Sequence, residues 1–156
     1  MDIVHARLPD VLKISALFKK VVTTLPFYNE IAKQNEIKKY TPKKILKMIR
    51  KDKYSVLVAK NGKKVVGFCF NRFDDYTIWI DWFGVDEKLR NNGIGTLIVE
   101  RVITDARKRK AHKVWCDTRS NNEPSKNLLK KLGFREIIEL KNHWYGQDFI
   151  LWERFV

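Results

Sequence analysis

Trp79-Ile80-Asp81-Trp82-Phe83-Gly84-Val85, then Asp86-Glu87-Lys88-Leu89, then Arg90-Asn91-Asn92-Gly93-Ile94-Gly95-Thr96, then Leu97-Ile98-Val99-Glu100-Arg101-Val102-Ile103: this run carries three signals in succession. Its first part is aromatic and β-branched and reads as a strand. Its last part places apolar residues at 94, 97, 98, 102 and 103, the spacing of a helix face. Between them lies a short loop with glycines at 93 and 95. Such a loop lets backbone N–H groups converge, and the positive end of the helix dipole adds to them. The combination is a receptor for a phosphate or pyrophosphate. The spacing Arg-x-x-Gly-x-Gly is not a Walker loop, because no Gly-Lys-Ser/Thr follows, and it is not a dinucleotide G-x-G-x-x-G loop.

The text from Val85 to Gly95 resembles the acetyl-CoA loop of the GNAT N-acetyltransferase superfamily. A second run also resembles that family: Asn122-x-x-Ser125, then Leu128, then Lys131-Leu132-Gly133-Phe134. Near the start, Ile3-x-x-Ala6-x-x-x-Asp10 is similar to the family's first strand and helix. The resemblance implies an α/β (α+β) fold. Its centre is a mixed, mostly antiparallel twisted sheet of about seven strands with about four helices, splayed between the fourth and fifth strands.

The chain of 156 residues is long enough for one domain with a real core, spanning 1–156. No apolar run approaches the roughly 20 residues that span a bilayer, and no signal peptide is visible. Cys69 and Cys116 fall in apolar strand-like text, so two buried free thiols and a cytoplasmic location are expected. His5, His112 and His143 are scattered without metal-ligand spacing. The net charge of +14 admits an anionic partner such as nucleic acid or a polyphosphate, and equally a lysine-rich solvated surface.

In chain order, residues 2–8 read as a strand and Asp10 as the cap of a helix with an apolar face through Val21. Residues 27–53 carry weak patterning until Thr41-Pro42, an N-cap followed by Pro at the first helical position. By resemblance this region borders the acceptor site, so Phe27, Tyr28 and Tyr40 contact substrate or pack at its rim. Residues 53–60, 63–73 and 76–85 form an antiparallel meander turned at Asn61-Gly62 and Asp74-Asp75. A helix over about 93–110 leads to a parallel neighbour at 113–117. A short helix over 125–131 stops at Gly133, and 134–140 pairs with 143–155.

The resemblance also distributes roles. The backbones of Phe83 and Val85 pair with the pantetheine arm, and the segment through Gly84 donates the amide that polarises the acetyl carbonyl. The amides of Arg90, Asn91, Asn92, Gly93, Ile94, Gly95 and Thr96 hold the pyrophosphate. Asn122 touches a pantetheine amide, and Lys131 lies where a phosphate contact is made. Two carboxylates are candidate bases. Asp81 shares strand parity with Phe83 and Val85 and should face the same side. Asp117 closes the next strand. The tryptophans at 79, 82 and 115 would raise either pKa into a useful range. The family's usual acid is a Tyr seven residues after the Asn, where this chain has Leu129; Tyr145 and Ser125 are the candidates to replace it.

The sequence thus points to an acetyl-CoA-dependent N-acetyltransferase acting by direct attack on a small-molecule or peptide amine, as monomer or homodimer. A protein α-amine suits such a site better than a lysine amine, since it is far more deprotonated near neutrality. The alternatives are a lysine acetyltransferase, a non-catalytic CoA-binding sensor, and a nucleic-acid binder using the lysine-rich 33–53 segment.

Overall fold

A computed structural model describes all residues, 1–156. Seven strands form one sheet in the order β1-β2-β3-β4-β5-β7-β6. In the chain they are β1 (Asp2–His5), β2 (Val56–Asn61), β3 (Lys64–Asp74), β4 (Thr77–Val85), β5 (Lys113–Arg119), β6 (Arg135–Leu140) and β7 (Phe149–Phe155). Only β4 and β5 run parallel. Five helices cover the sheet, one more than expected: α1 (Val11–Thr24), α2 (Glu30–Lys39), α3 (Pro42–Lys51), α4 (Ile94–Lys108) and α5 (Glu123–Lys131).

Two apolar cores lie on the two faces. On one, α4 and α5 bring Ile98, Val99, Val102 and Leu129 against Leu57, Cys69, Ile80 and Trp152. On the other, α1 and α3 bring Phe18, Val22 and Ile45 against Val58, Phe68 and Phe70. Neither cysteine is in a disulfide and both are buried, as the sequence suggests. No helix is long and apolar enough to cross a membrane.

The extra helix is α2. Its buried positions are Ala32 and Glu36, so it has no large apolar stripe to betray it. Its ends are nonetheless marked: the Asn29 side chain accepts from Ala32 N, Glu30 opens the first turn, and Lys38 and Lys39 close the last. Asp10 does not cap α1. It accepts from the Arg7 backbone and pairs with Lys60 at 2.8 Å, tying the entry of α1 to β2. Residues 143–148 are not strand. They fold into a tight turn in which Tyr145 (φ 59°) and Gly146 (φ 68°) both take left-handed backbone, and β7 begins only at Phe149.

Candidate active site

The sheet opens along one line. β4 and β5 pair only from Thr77 with Lys113 to Ile80 with Cys116. Beyond that, β5 pairs with β7 and β4 pairs with β3, leaving a wedge between them. The Asp86 amide donates to Val66 O at 2.9 Å. Antiparallel ladders alternate, so Gly84 and Trp82 also turn their polar groups to β3. The N–H and C=O groups of Phe83 and Val85 therefore face the gap. Gly84 is dictated by packing: a Cβ there would lie 2.8 Å from Phe68 Cζ.

The wedge is the floor of a cleft of about 500 Å³. One end is the glycine loop. Gly93 sits at φ +75°, which a side chain would strain, and it turns the chain into α4. Leu97 N is the first amide of α4 to find a carbonyl, that of Gly93. The amides of residues 91–96 have no partner in the protein, as helix starts dictate. The Arg90 amide, in contrast, is taken by Glu87 O at 3.3 Å. Its guanidinium lines the cleft; Nε donates to Val85 O at 3.4 Å, while Nη2 is buried with no partner. Free amides, a dipole end and an unsatisfied guanidinium nitrogen together fit a diphosphate.

The other end of the cleft runs into a second cavity of about 230 Å³, with Tyr28, Asp81, Trp82 and Asp117 lining both. The second cavity holds three carboxylates, Glu36, Asp81 and Asp117, among Tyr40, Trp79, Trp144, Tyr145 and Phe149. Burial is the main cause that pushes Asp117 up to about 7, with Asp81 and Glu36 adding to it and Arg119 opposing. Burial also raises Asp81, against the pull of Arg72, whose guanidinium lies 2.7 Å away. Glu36 accepts from Trp82 Nε1 at 2.8 Å and from the Tyr145 hydroxyl at 3.0 Å.

A family model described as acetyltransferase (GNAT) family matches residues 21–134. The chain belongs to the GNAT acetyltransferase family. Solved structures share the GNAT fold over essentially the whole chain. The ribosomal-protein-alanine N-acetyltransferase from Brucella melitensis is 23% identical, with a TM-score of 0.82 and 100% of both chains covered. An N-acetyltransferase from Staphylococcus aureus Mu50 is 20% identical, with a TM-score of 0.82 and 99% and 97% covered. The PaiA N-acetyltransferase from Thermoplasma acidophilum, solved with coenzyme A, is 13% identical, with a TM-score of 0.82 and 99% and 98% covered. No curated protein matches the chain.

Set in the GNAT frame, the expected cofactor residues fall together. Phe83, Gly84, Val85, Arg90, Asn91, Gly93, Ile94, Gly95, Thr96, Asn122, Ser125 and Lys131 all line the cleft. Asn92 does not; its side-chain amide donates to Leu89 O and Arg90 O and shapes the loop. Asn122 caps α5 through its carbonyl, which accepts from Ser125 N at 3.3 Å, and its NH₂ donates to no group of the protein and is left for a ligand. Leu129 is fully buried in the core and absent from the cleft wall, where its neighbour Leu128 stands instead.

The parity argument for Asp81 fails. Phe70 is opposite Trp82 and Asn71 is opposite Ile80, so Asp81 is the extra residue of a β-bulge. A one-residue insertion reverses the faces beyond it. Asp81 consequently lies on the α2 side with Glu36 and Tyr40, while Phe83 and Val85 pack toward α4. Tyr145 lines the second cavity and not the cofactor cleft. Sequence reasoning missed Glu36, hidden in an unrecognised helix, and Arg119, two residues beyond Asp117 on the same strand face. The period of two in β5 was signal enough for Arg119.

Proposed function

We propose that this GNAT protein is an acetyl-CoA-dependent N-acetyltransferase that acetylates a primary amine by direct attack, with Asp117 as the base. Acetyl-CoA, when bound, supplies an acyl group activated as a thioester. The amides of residues 91–96 and the Arg90 guanidinium hold its diphosphate end, and the exposed main-chain groups of Phe83 and Val85 orient its arm along the wedge. A main-chain N–H of the same segment would polarise the acetyl carbonyl. Asp117 lies where the cofactor cleft meets the second cavity, which is where an incoming amine must sit. That shared wall carries the proposal, and of its two carboxylates Asp117 is the one without an ion pair, since Arg72 holds Asp81 at 2.7 Å.

Two further features support it. A base is most useful when its pKa lies near the working pH, and Asp117 is pushed up to about 7. An α-amine, at about 7.7–8.0, is nearly matched to it; a lysine amine, at about 10.4, is not. The one thiol lining the cleft, Cys116, is buried and pushed well above its ordinary value, which disfavours an acyl-cysteine route.

The reading is tested by mixing the protein with acetyl-CoA and amines of graded basicity, including peptides with a free α-amine and peptides blocked there but bearing lysine. Release of CoA with N-acetylation of α-amines is expected. Tight CoA binding without turnover of any amine would favour the sensor reading, for which the buried Leu129 at the usual tyrosine position is the specific observation.

A further inference from the structure

The second cavity holds three cations, Lys39, Arg72 and Arg119, and three carboxylates, Glu36, Asp81 and Asp117. Two pairs are made within it. Arg72 binds Asp81 at 2.7 Å, and Lys39 lies 3.8 Å from Glu36. Arg119 and Asp117 remain, and neither forms an ion pair with any residue.

Arg119 is only 3% exposed. Its planar face is held between the rings of Phe149 and Tyr28, at 3.8 Å and 4.1 Å from the guanidinium carbon. Its Nε donates to Gln147 Oε1 at 3.1 Å, and Gln147 is itself fixed by its donation to Phe27 O at 3.0 Å. Both Nη groups lack a hydrogen-bond partner in the protein, and the residue lines the cavity. Three sides of the guanidinium are thus immobilised by the fold, and the remaining edge is the fork that binds carboxylates in a bidentate way. Burying a cation without a partner is costly, so such a residue is matched by a ligand rather than by the core.

Resting on the N-acetyltransferase reading, we infer that the acceptor carries a carboxylate as well as its amine, the carboxylate pairing with Arg119 while the amine faces Asp117. The two side chains stand two positions apart on β5, roughly 6.5 Å along the strand. A zwitterion whose ammonium and carboxylate are a carbon or two apart spans that gap with one hydrogen bond at each end. The aromatic wall of Trp79, Trp82 and Trp144 then receives an apolar side chain. The small volume, about 230 Å³, suits one or two residues. The carboxylate has two sources: the α-carboxylate of a free amino acid, or an acidic side chain next to a peptide's α-amine.

The test needs no mutation at first. The wild-type protein with saturating acetyl-CoA is offered L-phenylalanine, L-phenylalaninamide, and the C-terminally amidated dipeptides Phe-Glu and Phe-Gln. Phenylalanine is expected to exceed its amide in kcat/KM by about 10- to 100-fold, the range for a hydrogen bond to a charged group. A preference confined to Phe-Glu over Phe-Gln assigns the carboxylate to a peptide side chain instead. Arg119→Met should erase the preference and leave CoA affinity unchanged, and Arg119→Lys should restore part of it. Equal rates for acid and amide across both pairs overturn the inference while leaving the N-acetyltransferase reading intact. If no amine is acetylated, that reading fails. Calorimetric binding of phenylalanine and its amide in the presence of CoA then decides this one: equal affinities overturn it, and tighter binding of the acid sustains it.

Discussion

At Asp117 the same burial that makes a base near neutrality also costs the fold. Its carboxyl is held at about 7, against an ordinary value of 3.8. As the proposed base it must be ionised, so kcat/KM should rise with pH through about 7 and then level off. Asp117→Asn should lower kcat/KM by about 10²–10⁴-fold and flatten that rise, measured as a pH profile of CoA release. The sign for stability is opposite. The native state binds the proton more tightly than the unfolded chain does, so the stabilising contribution is complete below the unfolded pKa. It is lost as pH rises through about 7. Asp117→Asn is therefore expected to melt higher than wild type at about pH 8, with the gap closing toward about pH 4. Glu36 behaves differently, because two donors depend on it. Glu36→Ala leaves Trp82 Nε1 and the Tyr145 hydroxyl without their acceptor. The expected cost is about 1–3 kcal/mol in chemical denaturation, with impaired acceptor binding.

Among the elements, the glycine loop and the helix it opens were legible because their signals are local, whereas the Arg90 amide bonded to Glu87 O and the turning-away of Asn92 were not. Turn glycines, an arginine and a helix face are all written within a few residues of one another. Gly93→Ala should weaken CoA affinity, since Gly93 stands at φ +75° and an L side chain costs about 1–2 kcal/mol there. Arg90→Ala should weaken it too, without altering acceptor KM. Both are measured by calorimetry with CoA. The meander and the closing strands were legible from alternation and turn signals. What escaped notice depends on partners far along the chain. Helix α2 buries a glutamate whose acceptor role is set by Trp82 and Tyr145, so no apolar period announces it. Residues 143–148 look like strand because they are aromatic. In the fold the Asn29 side chain donates to Tyr145 O at 2.9 Å and holds the segment against the second cavity. The bulge at Asp81 arises from a register choice between β3 and β4, and nothing in β4 alone records it.

For the whole molecule, the net charge of +14 contrasts with a second cavity where carboxylates and cations are equal in number. Long-range attraction therefore acts on the polyanionic cofactor and would spare an acceptor that is zwitterionic, as inferred above. Raising ionic strength should raise KM for acetyl-CoA markedly and the acceptor KM little, in steady-state kinetics at constant pH. The parallel join between β4 and β5 has a larger consequence. Within the sheet itself, four residue pairs join β1–β4 to the β5–β7 half before the strands diverge. A ligand that occupies the seam through main-chain groups would complete a ladder that the polypeptide leaves unfinished. Cofactor would then act as a removable rung, and resistance to heat would become a gauge of its occupancy: saturation at about 100 times Kd would add about 2.7 kcal/mol.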